Sequence, residues 1–116
     1  MKADTTSAPA GATPFTIHAA AYRIARQAYE LHRDECQAPL LQGDPLHMDY
    51  EDAYTPLVSA MNDCATSAVL CAVRSIGELA TKIAIFHREE MQDMENANDL
   101  LAIILADAER LAGGEA

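Results

Sequence analysis

From residue 14 onward, apolar residues recur at steps of four and three. Ile17, Ala21, Ile24, Ala28 and Leu31 share one face of a helix, which the pattern makes the core face. Thr13-Pro14 supplies an N-cap and a proline at the first helical position. Pro39 stops this helix near Gln37. The stretch "APLLQGDPLHMD" (38–49) holds Pro39, Gly43 and Pro45 and reads as a loop anchored by Leu40 and Leu41. Tyr50, Tyr54, Leu57 and Met61 then keep one helical phase, continued by Ala65, Ala68 and Cys71. Thr55-Pro56 repeats the start signal inside that run. The second helix therefore begins either at Pro56, after a short acidic turn, or near Asp49 with a kink.

Ser75 and Glu78 form a capping-box pattern, in which the Ser hydroxyl serves the Glu amide and the Glu carboxylate reaches back. It opens a third helix on Ile76, Leu79, Ile83 and Phe86. "DMENAND" (93–99) is a polar turn, and Asn96 or Asn98 caps a fourth helix on Leu101, Ile104, Ala108 and Leu111. Gly113-Gly114 ends it. The expected fold is all-α: a four-helix antiparallel arrangement built on a long hairpin (about 14–37 and 50–72). Two shorter helices (about 76–92 and 97–112) pack on it. Without them the hairpin would expose too much apolar surface. Residues 1–12 read as a disordered tail, and 13–113 as a single domain.

Composition narrows the picture. Of 116 residues 23 are alanine, with no Trp and two Phe, so the core is thin and its helices approach closely. Eighteen acids against eight bases give a net charge of −10. That field repels nucleic-acid phosphates and anionic lipids, which argues against direct nucleic-acid or membrane-surface binding and leaves room for a basic protein partner. The longest aliphatic run, "LLAIILA", is far short of a membrane span. Of Cys36, Cys64 and Cys71, the last two lie seven apart on one helix, too far for a disulfide, and an odd count suits a reducing compartment. "MKADTTSAPAGATP" lacks the apolar core of a signal peptide, so a cytoplasmic setting is expected.

The segment "SAMNDCATSAVLCAVRSIGELATKIAIFHREE…LLAIILADAERLAG" (59–113) resembles a loose group of small uncharacterised helical proteins of alphaproteobacteria and their prophages. The shared features are a long helix, an Ala-rich break capped by Ser75, "ELATK" opening the next helix, and a closing "LADAERLAG". They cover about half the chain. The resemblance implies a helical fold and no particular activity.

"LHRDE" (31–35) and "FHREE" (86–90) each place a His three residues before a Glu, on one helical face. His32 with Glu35, and His87 with Glu90, could thus each present an imidazole and a carboxylate to one ion, as His/Glu pairs do in di-iron bundles. Such centres also need inward carboxylates from two further helices. Here only Asp63, Asp99 and Asp107 are candidates, and Asp107 lies one position off its helix's core face. The flanking charges read as solvated helix ends, so no metal, cofactor or catalytic residue is assigned. No P-loop, dinucleotide fingerprint, HExxH or CxxC is present, and "HRD" inside a helix is no kinase loop. What remains is a non-enzymatic protein that binds another protein or itself, as a homodimer. The candidate contact surfaces are Tyr22, Tyr29, Tyr50 and Tyr54, together with the acidic run of Glu89, Glu90, Asp93 and Glu95. The alternative is an inhibitor whose acidic end competes with nucleic acid for a basic protein.

Overall fold

The computed structural model describes residues 12–36 and 46–114. All of the expected tail (1–12) but Ala12, and most of the loop at 38–49, lie outside the described residues. Four helices follow in order: α1 (Pro14–Cys36), α2 (His47–Leu70), α3 (Ile76–Arg88) and α4 (Ala97–Gly114), with a 3₁₀ turn at Met91–Asp93 between the last two. The fold is all-α, with no strand among the described residues.

The helix starts follow local chemistry. Thr13 and Thr16 cap each other: the Thr16 amide donates to Thr13 Oγ1 (3.2 Å) and the Thr13 amide to Thr16 Oγ1 (2.8 Å). At α3 the Glu78 amide donates to Ser75 Oγ (3.1 Å). The Glu78 carboxylate reaches one residue past the cap, taking the Arg74 amide (2.8 Å) and the Thr13 hydroxyl (2.7 Å). The cap of α3 is thereby tied to the start of α1.

α2 takes the earlier of its two possible starts and carries Pro56 inside it. α3 stops at Arg88, short of the expected residue 92. Glu90 turns into the left-handed region (φ 53°), at a cost of about 1–2 kcal/mol for a residue with a Cβ, and this turn drives Met91 into the core, where it is 2% exposed. At the other end α4 includes Gly113 and Gly114 rather than stopping before them.

Contacts give the helix directions. Tyr29 meets Tyr54, and His32 meets Tyr50, so α1 and α2 are antiparallel. Thr13 reaches Glu78 and Tyr22 reaches Glu89, so α1 and α3 run the same way. Lys82 bonds Asp107 and Arg110 bonds Val73, which makes α4 antiparallel to α3.

The core lies at one end only. Its α1 members are Phe15, Ala19 and Tyr22, and its α2 members are Met61, Ala65, Ala68 and Val69. No described residue of α1 beyond Tyr22, nor of α2 before Met61, is buried. The far halves of the hairpin therefore leave the four-helix end as a two-helix arm, about 20 Å long. The shorter helices cover only half of the hairpin.

Expected core faces are corrected in three helices. In α1 the stripe Ile17, Ala21, Ile24, Ala28 and Leu31 is exposed along its whole length. The inward face carries Phe15 and Tyr22, whose larger side chains fill the space against α2 and α3. In α3, Ile76 (68%) and Ile83 (46%) are exposed, while Lys82 and Ile85 join Leu79 and Phe86 inside. In α4 Leu100 is buried and Leu101 is not.

Candidate interaction surface

α1 is apolar on two opposite sides. The inner side packs into the core. The outer side presents Ile17, Ile24 and Leu31 at 52–68% exposure, with Ala21 and Ala28 between them. The spacing is four-three-four-three, that of a coiled-coil seam with alanine and a large aliphatic residue alternating. A surface helix of a globular protein usually carries one apolar stripe, and the second stripe of α1 is left uncovered. α1 is also electrically balanced within a strongly acidic chain: Arg23, Arg26 and Arg33 face Glu30, Asp34 and Glu35.

The tyrosines do other work. Tyr29, Tyr50 and Tyr54 are half-buried in the seam of the arm. Ring centroids lie 5.7 Å apart for Tyr29–Tyr54, 5.5 Å for Tyr50–Tyr54 and 4.8 Å for His32–Tyr50. The Arg33 guanidinium sits 5.6 Å from the Tyr29 ring. This ladder of aromatic contacts holds the arm together where no core does, each pair contributing about 0.5–1.5 kcal/mol beyond area burial. It also explains why α2 runs through Pro56, since an α2 beginning there would leave Tyr50 and Tyr54 without their helical frame.

Tyr22 is 2% exposed, so as a contact-surface residue it is corrected. Its hydroxyl donates to Glu89 Oε2, and Arg26 donates to the same oxygen while its Nε holds Glu30 (2.8 Å). Burial, then the bond to Glu89, pushes the Tyr22 phenol up to about 12. The Glu89 side chain is only 8% exposed, so it too leaves the expected acidic surface. Glu90, Asp93 and Glu95 remain exposed.

Asp107 is corrected in the opposite direction. It is 2% exposed and accepts from the fully buried Lys82 ammonium on one oxygen. Arg110 Nη2 donates to the other oxygen (3.0 Å) and to the Val73 carbonyl. Burial pushes the Asp107 carboxyl upward, but the bonds from Lys82 and Arg110 outweigh it and hold the group below its ordinary range. This triad staples α3 to α4 and to the strand-like link before α3. One sequence signal could have found it: Lys82 lies three residues from both Leu79 and Ile85.

The two His/Glu pairs do not converge. His32 stacks in the arm seam, its Nε2 enclosed without a hydrogen-bond partner among the described residues, while His87 and Glu90 are exposed where α3 ends. No cluster of His, Cys, Asp or Glu suited to a metal occurs among the described residues. Cys64 and Cys71 are both free thiols. No described helix is long and apolar enough to cross a membrane. Comparison with protein-family models, with curated proteins and with solved structures finds no match to this chain.

Proposed function

We propose that this chain is a non-enzymatic assembly protein of a reducing compartment, and that the outer face of α1 packs against the same face of a second copy. The supporting observation is the uncovered seam of Ile17, Ala21, Ile24, Ala28 and Leu31 on a helix that is apolar on both sides. The beside-seam positions are nearly free of charge: Ala20, Gln27 and Asp34 on one flank, His18, Ala25 and His32 on the other. Two acidic chains can therefore meet along α1 without like charges opposing each other. A twofold arrangement needs one self-complementary patch, which the regular seam supplies.

The six large side chains of two copies, Ile17, Ile24 and Leu31 from each, are already about half out of water's reach and contribute about 5–9 kcal/mol when fully covered. That is on the scale of the freedom lost on association. The dimer is therefore reversible and concentration-dependent. Sedimentation velocity tests it: the wild-type weight-average mass rises with concentration, and Ile24→Glu with Leu31→Glu holds the chain monomeric with unchanged helicity. A wild type monomeric at all accessible concentrations sinks the reading.

A second reading rests on the exposed Glu90, Asp93 and Glu95, which have no ion-pair partner among the described residues. Here the turn after α3 engages a basic protein in place of nucleic acid. Replacing the three with Lys then abolishes a salt-sensitive complex, and leaves α1-mediated association alone.

A further inference from the structure

We propose that the groove between α1 and α3 is a binding site for a small aromatic or branched carboxylic acid, taken as its anion. This goes beyond self-association and uses a different side of α1. The groove has a half-open section of about 160 Å³, floored by the buried Ala19, Tyr22 and Ile85 and bordered by the exposed Thr81, Ala84, Arg23 and Arg88. Shallower depressions continue it in both directions, and Arg23 borders all three sections. An apolar space of about 150 Å³ is enough to hold benzene. The floor therefore suits one ring or a short branched chain.

The charges select the other end of the ligand. Both carboxylates bordering the groove are already engaged: Glu30 by Arg26, and Glu78 by Thr13 and the Arg74 amide. Arg23 and Arg88 have no hydrogen bond or ion pair among the described residues. In a chain with 18 acids and 8 bases, two idle guanidiniums beside one apolar groove are an unmatched donor site for an anion. Planar guanidinium donors match a carboxylate in two parallel bonds. The net negative field opposes an incoming anion from afar, but salt screens it beyond about 8 Å, so the adjacent arginines prevail at contact.

The test uses the chain carrying both Ile24→Glu and Leu31→Glu, which separates this site from dimer formation, and follows the methyl resonances of Ala19, Ala84 and Ile85. Benzoate is expected to shift them with a dissociation constant of about 1–10 mM, as suits so small a ligand. Benzamide, equal in shape but uncharged, should bind about tenfold more weakly, and acetate, charged but without a ring, should leave the floor methyls unmoved. The exposed pair Arg23→Gln with Arg88→Gln should reduce benzoate to the level of benzamide. Ala84→Leu should fill the groove and remove both. Benzamide or acetate matching benzoate overturns the proposal. So does an unaffected arginine double variant, or the absence of floor shifts at benzoate concentrations about tenfold above the expected range.

Discussion

The Tyr22 hydroxyl donates to the carboxylate of Glu89, 67 residues along the chain, at the point where α1 leaves the core. Arg26, one turn further on, reaches the same oxygen. Below this knot α1 is packed by α2 and α3, and above it α1 has only α2 for company. A tyrosine and a glutamate that both look like surface residues thus mark the boundary between a four-helix end and a bare arm.

Removing the hydroxyl with Tyr22→Phe takes away a hydrogen bond to a charged acceptor and should cost about 1.5–3 kcal/mol in urea unfolding. Glu89→Ala should cost more, because it leaves the Tyr22 hydroxyl without its acceptor and takes from Arg26 one of its two carboxylates. Equal midpoints for Tyr22→Phe and wild type would show that the bond is not held in solution.

Alkaline titration reads the same contact. The Tyr22 phenol lies at about 12 against an ordinary 10.0, so the folded state keeps a proton that the unfolded chain has lost. Stability from this group is complete below pH 10 and falls as pH rises from there to about 12. Tyr54 is also raised, chiefly by hydrogen bonding with Tyr29 and then by burial. Tyrosinate absorbance should thus rise in at least two stages, the last coinciding with unfolding. All four tyrosines ionising together near 10 would contradict the structure.

The Lys82–Asp107 pair should be severe to break and mild to replace. Lys82→Ala leaves a buried carboxylate short of a donor and should cost about 3–5 kcal/mol, whereas Lys82→Met with Asp107→Leu should recover most of it. Because the folded Asp107 carboxyl lies below its free value of 3.8, its contribution is present above that pH and is lost as pH falls through and below it. Acid unfolding of the double variant should be correspondingly less steep. A double variant no better than the single one would mean that the ions, and not the packing they occupy, are required.

Ile24 and Leu79 distinguish the two faces of the pattern. Measured in dilute, monomeric solution, Ile24→Ala should change stability by no more than about 0.5 kcal/mol, since the side chain is 68% exposed. Leu79→Ala should cost about 2–4 kcal/mol. Comparable losses at the two sites would place Ile24 in a core.

Amide exchange should be graded along the hairpin. Residues 23–36 and 47–60, lacking buried neighbours, should exchange faster than 61–70 and 79–88. Raising the concentration should slow exchange in α1 of the arm if two copies meet there. Uniform protection would eliminate the arm as a separate unit.

Helix identity and the starts of α1 and α3 were legible from sequence because they depend on neighbours three and four residues away. A Thr or Ser side chain caps a nearby amide whatever the rest of the chain does. Which side of a helix faces inward is a different matter. α1 offers two apolar stripes, and period alone ranks the aliphatic one first; only the fit of Phe15 and Tyr22 against α2 and α3 turns the aliphatic one outward. In the same way Pro56 leaves two starts open for α2, and the stacking of Tyr50 and Tyr54 on residues of α1 selects the earlier. Lys82 and Asp107 read as surface charges when taken singly. Burying an ion is costly until its counter-ion arrives from another helix, so no local pattern could have placed them inside.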